Sequence, residues 1–188
     1  NSDGSDDQVL LLEDKPLGYL AWSQDGTHLA FMGRPREHRL SAAEIYILDL
    51  SGDSPELRCM TENCDGWITG FDWTPQGDGI VVSIQQGTFG RIVEFSLDGS
   101  SSFRGPTDRF VSGAKMDRSR GRIIYLQQAG DTPQSLCVFG PGFPRGRMLS
   151  RPPRRLARKS LRSYELMTWR AKDGLPIEGL WMAPAGPP

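Results

Sequence analysis

Histidine and cysteine are both scarce in this chain of 188 residues, which has two of the former and three of the latter. Few histidines leave few ligands for a metal site, and an odd number of cysteines leaves at least one thiol outside any disulfide within the chain. The spacing of Cys59 and Cys64 would suit a metal site or a disulfide, but we favour ordinary half-buried thiols for both and for Cys137. We therefore expect no metal and no cofactor. Free thiols favour a reducing, cytoplasmic location, with a periplasmic or secreted one left open.

Long hydrophobic runs and a large net charge are also missing. No apolar run approaches the length of a membrane-spanning helix, and the start of the sequence has no signal-peptide pattern. The net charge of −1 gives no reason to expect a membrane or nucleic acid as partner. The stretch Arg145–Arg162 is strongly basic, but no aromatic residues are interleaved with it to stack on bases. We interpret it as a solvated connector, with an acidic partner as the weaker alternative.

A catalytic serine is not recognisable. The sequence has no Gly-x-Ser-x-Gly elbow, and we assign the cluster Ser100–Ser102 to a turn. His28 and His38 are the only candidate bases, and both belong to the first repeat described below, so no triad can be assembled. Glycine-rich segments lack phosphate-binding spacing. We predict no catalytic residue, and we assign turn roles to three aspartates that sit in turn sequences, Asp25, Asp98 and Asp173.

Glycine and proline are plentiful, at 22 and 14 residues, and they punctuate an internal repeat. Tyr19–Phe31 (YLAWSQDGTHLAF) predicts a strand, a tight turn and a second strand. The pattern recurs as Phe71–Val82 and, more weakly, as Ala114–Tyr125. Trp22 lies 51 positions before Trp73, which lies 43 before Met116. Repeats of about 40 to 50 residues made of short strands are typical of β-propeller blades, with four strands to a blade.

Each repeat also contains a third strand, and in the first repeat both faces of Glu44–Leu50 are largely apolar, as expected of a blade between neighbouring blades. Trp22 and Trp73 recur in register, so we expect both rings to pack between strands rather than to form a stacking platform with Trp67, Trp169 and Trp181. The repeat is lost past Phe143. The remaining predicted strands are Val9–Leu12, Glu44–Leu50, Leu57–Thr61, Arg91–Leu97 and Ser135–Phe139.

The last segment does not belong to the repeat. Leu166–Pro184 predicts a β-hairpin of two alternating strands around the turn at Asp173 and Gly174. We therefore predict blades over residues 1–143, a basic Pro-rich connector over 144–165, and the start of a new domain over 166–188. The fold class is all-β: about three four-stranded antiparallel blades followed by a hairpin. Three blades are too few to close a ring, so we expect a longer or split protein.

The order of these parts resembles the prolyl oligopeptidase family of serine peptidases, especially its acylaminoacyl-peptidase branch. The resemblance rests on TolB-like blades, a Pro- and charge-rich connector, and the hairpin sequence Glu165–Gly186 (ELMTWRAKDGLPIEGLWMAPAG). It implies that the hairpin opens an α/β-hydrolase domain, in the same parent chain or on a separate fragment. It also implies that the blades gate the entry of short peptides, and it leaves a homo-oligomer open. The alternative is a non-enzymatic TolB-like propeller that binds a protein partner.

Overall fold

The computed structural model describes residues 18–34, 42–107, 109–151, 155 and 162–183. Those residues contain fourteen strands, of which twelve form three four-stranded antiparallel sheets and two form a hairpin. In each four-stranded sheet the strands are neighbours in the order of the sequence. The expected all-β fold class is therefore confirmed. The predicted strand Val9–Leu12, His38 and half of the basic stretch Arg145–Arg162 lie outside the described residues.

The chain divides into two compact units, residues 1–63 and 64–188, and the first contains one described sheet. Phe31 and Tyr46 on neighbouring strands stack with their ring centroids 5.7 Å apart. Ile45, Tyr46, Ile47 and Leu48 are all buried, so both faces of the third strand are covered, as its apolar pattern predicts. The strands of this first sheet are β1 Gly18–Trp22, β2 His28–Gly33, β3 Glu44–Asp49 and β4 Glu56–Cys59.

The second unit contains two sheets and the hairpin. The second sheet comprises β5 Trp67–Trp73, β6 Gly79–Gln86, β7 Phe89–Ser96 and β8 Ser101–Arg104. The third sheet comprises β9 Phe110–Asp117, β10 Arg122–Ala129, β11 Thr132–Gly140 and β12 Phe143–Met148. The hairpin pairs β13 Glu165–Arg170 with β14 Pro176–Trp181, and Gly174 occupies its turn with φ of 88°.

Two outer strands correct the expectations from sequence. Ser101 and Ser102, assigned to a turn, begin β8, whose four residues are all exposed. The repeat, expected to end at Phe143, continues through β12, which occupies the first residues of the predicted connector. Polar residues are common on the outer strands of a sheet because water covers one edge. The hydrophobic pattern used to find strands is therefore weakest in these two strands.

The second and third sheets pack face to face over an apolar cluster that includes Val81, Ile92, Val111 and Tyr125. The two sheets approach each other closely at Gly90, since a Cβ there would lie 1.9 Å from the Val111 carbonyl oxygen. The buried Ser83 Oγ accepts a hydrogen bond of 2.8 Å from the Ala114 amide. Because β6 and β9 both present apolar side chains to this layer, the core of the unit lies between the two sheets.

Asp72 on β5 adds a polar link between the same two sheets. Its Oδ2 accepts a hydrogen bond of 3.1 Å from the Met116 amide, and its Oδ1 accepts one of 3.0 Å from Arg118. The Lys115 ammonium donates to the Phe71 carbonyl oxygen at 3.1 Å. Hydrogen bonds that involve a charged partner are stronger than neutral ones. The first strands of the two sheets, β5 and β9, are thus joined through charged groups as well as apolar packing.

The tryptophans follow the expectation only in part. Trp73 on β5 is fully buried, as predicted, but Trp22 on β1 is 49% exposed, which corrects the prediction for it. Both strands have an interrupted register, between Gly18 and Ala21 in β1 and between Ile68 and Gly70 in β5, but β1 also contains Tyr19 with a φ of 51°. Within the described part of the first unit, the ring of Trp22 is therefore not enclosed by strands.

Candidate functional site

The turns that join the second and third strands of the second and third sheets lie at one end of the unit. We call them the middle turns, and they contain Gly87 and Thr88 in the second sheet and Gly130 and Asp131 in the third. Gly87 has a φ of 57°, which favours glycine. Gly87 and Gly130 are 43 positions apart, which is the period that separates Trp73 from Met116. The repeat therefore places a glycine in the same part of both turns.

The hairpin and the residues before it lie against the middle turns. A Cβ at Gly87 would lie 2.5 Å from the Glu178 Oε2 on β14. A Cβ at Gly130 would lie 2.5 Å from the ring of Tyr164 and 2.7 Å from the Arg162 carbonyl oxygen. Real Cβ atoms do not approach other atoms this closely, so any larger residue would displace the neighbouring group. Both glycines thus allow the chain to pass close over the turns.

A cleft of about 150 Å³ lies where the third sheet, the middle turns and the hairpin meet. Tyr164 and Leu180 form its wall on the hairpin side. Among the described residues, its lining includes no Asp, Glu, Lys, Arg or His side chain, and its walls are mostly apolar. The walls contributed by the two sheets are Thr88, Phe110, Gln128 and Ala129.

Two polar side chains at this cleft can form further hydrogen bonds. The Thr88 Oγ1 is buried and has no hydrogen-bond partner among the described residues. Gln128 is exposed and lies directly opposite Phe110 in the ladder between β10 and β9. A buried hydroxyl without a partner is unusual in proteins, and water or a ligand usually completes it. The cleft therefore combines apolar walls with groups that can bind an amide.

The same aromatic–amide pair occurs in the second sheet. Trp67 lies opposite Gln85 in the ladder between β5 and β6, and each residue is 43 positions before its counterpart, Phe110 or Gln128. Trp67 is 55% exposed, and Gln85 is exposed as well. Sequence reasoning noticed Trp67 as an aromatic residue only. The spacing of 43 applied to Gln85 and Gln128 was the signal that would have found both pairs.

The candidate bases and nucleophiles are placed as follows. His28 lies opposite Asp49 in the ladder of β2 and β3, with its Nε2 3.6 Å from the Asp49 Oδ2. Its Nδ1 lies 2.7 Å from the Thr27 Oγ1, and that hydroxyl also donates to the Asp25 Oδ1 at 2.8 Å. Hydroxyl, imidazole and carboxylate do therefore meet here. Thr27 and His28 are adjacent in sequence, and His28 and Asp49 are a cross-strand pair. Because these contacts close one end of a sheet, we interpret them as structural.

The aspartates assigned to turns are held there by hydrogen bonds. Asp98 accepts from the Ser100 amide at 2.8 Å, and Asp173 accepts from the Leu175 amide at 3.1 Å. Asp25 accepts from the Ser23 hydroxyl at 2.6 Å and from the Thr27 amide at 3.1 Å. These bonds, that of Ser23 above all, lower the pKa of Asp25 from 3.8 to about 2. Hydrogen bonds to a carboxylate favour its charged form, which is the form that closes a turn.

The three cysteines are free thiols; Cys59 and Cys64 are half-buried and Cys137 is buried. Burial is the largest cause that raises the pKa of Cys59, to about 11, and Glu44 raises it further. Burial also raises the pKa of Cys64 and Cys137. A thiol with a raised pKa is a poor nucleophile and a poor metal ligand at neutral pH. Within the described residues no group of three or more His, Cys, Asp and Glu is placed to hold a metal ion.

Solved structures resemble this fold. The acylaminoacyl peptidase of Pyrococcus horikoshii matches with a TM-score of 0.67 and 19% identity, over 90% of this chain and 25% of that chain. Prolyl oligopeptidase B of Galerina marginata matches with a TM-score of 0.57 and 16% identity, over 90% of this chain and 24% of that one. TolB of Acinetobacter baumannii matches with a TM-score of 0.58 and 17% identity, over 86% and 42%.

The likeness shows the fold. The three sheets are β-propeller blades of the kind found in TolB and in peptidases of the prolyl oligopeptidase type, so the resemblance expected from sequence is confirmed at this level. No family model and no curated protein sequence matches the chain. The chain spans about a quarter of the length of the two peptidases. The division of the chain into blades, a connector and the start of a further domain stays a prediction.

Within the described residues, no helix has the length and apolar character that crossing a membrane requires.

Proposed function

We propose that this chain is the propeller part of a serine peptidase of the prolyl oligopeptidase type. In this proposal the blades limit the entry of short peptides, and the hairpin leads into an α/β-hydrolase domain that supplies the nucleophile, the base and the oxyanion donors. The observation that carries the proposal is the hairpin β13–β14, which is seated on the middle turns in the order that the resemblance predicts. A propeller that acts alone has no need of this element.

The exposed side chains of the hairpin support the same proposal. Directly opposite residues in an antiparallel pair share a face. Leu180 on one face reaches the cleft, whereas Met167, Trp169, Ile177 and Trp181 share the other face, and all four are exposed. An apolar group of this size on a monomer usually marks a contact with another domain or protein. A catalytic domain placed on this outer face would cover it and would bring the substrate entrance to the same end as the cleft.

The proposal is tested by the length dependence of hydrolysis by the full-length protein. Peptides of increasing length that share one cleavable sequence are compared with a folded protein that carries the sequence in an exposed loop. We expect fluorophosphonate-sensitive cleavage whose kcat/KM falls steeply as the substrate lengthens, and no cleavage of the folded protein. Trypsin, whose cleft is open, serves as the control with a sequence that it also cleaves. Equal rates for short and long substrates would overturn the gating role.

A TolB-like propeller that binds a protein partner is the alternative, favoured by the TolB match over most of this chain. In that case the apolar outer face of the hairpin would be the contact surface for the partner. The two functions differ in one measurable property, since only the peptidase hydrolyses peptides in a fluorophosphonate-sensitive reaction. The three free thiols support a reducing, cytoplasmic location in either case.

A further inference from the structure

We propose that the cleft between the third sheet and the hairpin binds one uncharged, preferably aromatic, side chain of a short peptide, and that Thr88 and Gln128 bind the peptide backbone beside it. The inference rests on the proposed function, because it names the part of the propeller that a peptide substrate contacts. It assigns a binding role to residues that neither the repeat nor the fold requires for packing.

The size and lining of the cleft select the class of side chain. An engineered cavity of about 150 Å³ with apolar walls accommodates benzene, so the present volume of about 150 Å³ suits a single ring. Phe110 and Leu180 supply apolar walls from opposite sides. A charged side chain would find no opposite charge among the described residues that line the cleft and would lose its hydration on entry.

Thr88 supplies the reason to expect a backbone contact. Its Oγ1 is buried without a partner among the described residues, and Thr88 itself lines the cleft. A hydroxyl both donates and accepts, so a peptide N–H or C=O that enters the cleft would satisfy it. The Gln128 amide at the entrance offers the same two functions and is free to reorient because it is exposed.

The aromatic–amide pair in the second sheet indicates where the rest of the peptide would bind. Trp67 and Gln85 hold the same ladder positions as Phe110 and Gln128, one blade earlier. An exposed indole beside an exposed amide can contact an apolar side chain and a peptide bond together. The two aromatic–amide pairs, on neighbouring blades, would bind consecutive parts of one extended peptide. Both lie at the end of the unit where the hairpin lies.

The test is direct binding of a tripeptide, measured by saturation-transfer NMR on the full-length protein after treatment with a fluorophosphonate. The probe is Gly-Phe-Gly, with Gly-Ala-Gly and Gly-Glu-Gly for comparison. We expect Gly-Phe-Gly to bind at least about tenfold more tightly than the other two. We expect Thr88→Val, which keeps the shape and removes the hydroxyl, to weaken it about three- to tenfold. The control Phe103→Ala, an exposed ring on β8, should leave binding unchanged.

Each outcome decides the inference. Equal affinity for the three tripeptides, or an unchanged affinity in Thr88→Val with an unchanged melting temperature, would overturn it. No binding at all would also overturn it. Fluorophosphonate labelling without peptide binding at the cleft would reject this inference and leave the peptidase proposal standing. Thr88-dependent peptide binding without fluorophosphonate labelling would support this inference and reject the peptidase proposal.

Discussion

Hydroxyl–carboxylate pairs close the turns between the first and second strands of all three sheets. Ser23 donates to Asp25 and Thr74 donates to Asp78, each at 2.6 Å. In the third sheet the order is reversed, because Ser119 donates to Asp117, also at 2.6 Å. The same physical contact is thus made by a different sequence. This exchange explains why the third copy of the repeat is the weakest in sequence although its turn closes in the same way.

Asp25 makes the stability of the first sheet dependent on pH. Its pKa is lowered on folding from 3.8 to about 2, so its stabilising contribution is present above about pH 4 and is lost as the pH falls towards 2. We expect Asp25→Asn to make the melting temperature fall less steeply between pH 4 and pH 2 than in the unsubstituted protein. Thermal unfolding monitored by circular dichroism at half-unit pH steps measures this. Asp53→Asn, at an exposed residue outside these turns, is the control and should leave the slope unchanged; a similar slope in Asp25→Asn would contradict the account.

Ser83 is a second residue whose contribution can be measured. Replacing it by Ala removes the acceptor of the buried Ala114 amide between the second and third sheets. A buried N–H without a partner costs about 1–3 kcal/mol, so we expect Ser83→Ala to lose that much unfolding free energy. Urea unfolding provides the measurement. Ser102→Ala on the exposed β8 should change it by less than about 0.5 kcal/mol. Equal losses in the two variants would show that the buried hydrogen bond contributes nothing.

A substitution at Gly130 tests whether residues 162–164, which precede the hairpin, pack closely against this middle turn. In Gly130→Ala the new Cβ would meet both the ring of Tyr164 and the backbone at Arg162, and backbone cannot rotate away. Overpacking of this kind costs about 1–3 kcal/mol, so we expect hydrogen exchange in β13 and β14 to rise several-fold while exchange in β5–β8 stays unchanged. Gly70→Ala is the matched control, because a Cβ there meets nothing within 4 Å. The same pattern of hydrogen exchange in both variants would contradict the proposed packing of residues 162–164 against Gly130.

Among the elements, the strands with apolar faces were predictable, whereas β8 and β12 were not. Strands such as β6 have apolar residues on both faces, and that pattern is visible in any single sequence. In β8 and β12 the stabilising contacts come from long charged side chains instead. Arg104 pairs with Glu94 through two hydrogen bonds, and Arg122 and Arg147 both lie over the ring of Phe143. Such contacts do not follow the alternation of apolar and polar residues, so strand periodicity alone does not reveal them.

The link between the strands β5 and β9 depends more on Asp72 than on its ion-pair partner, Arg118. Asp72→Ala leaves the Met116 amide without its acceptor, and we expect a loss of about 1–3 kcal/mol. Arg118→Ala removes a partly exposed ion pair and should cost less than about 1 kcal/mol. A double-mutant cycle by urea unfolding gives the coupling, expected below about 1 kcal/mol. A larger loss in Arg118→Ala than in Asp72→Ala would contradict this ranking.

At the scale of the whole molecule, the period of the repeat predicted the number of sheets and the order of their strands. The spacing of Trp22, Trp73 and Met116 was enough, because each blade is one local unit with short connections. The cleft could not be predicted in this way. Thr88, Gln128 and Leu180 are distant in sequence, and only the seating of the hairpin on the middle turns brings them together.

The central claim is that these blades belong to a serine peptidase whose catalytic domain follows the hairpin. Labelling the protein, as its cells produce it, with a fluorophosphonate probe tests this most directly when the labelled bands are sized on a denaturing gel and sequenced. We predict a labelled band much larger than 20.9 kDa that yields peptides of this sequence, or a labelled partner that co-purifies with this chain. A chain of 20.9 kDa with no labelled species would contradict the claim and leave the partner-binding propeller.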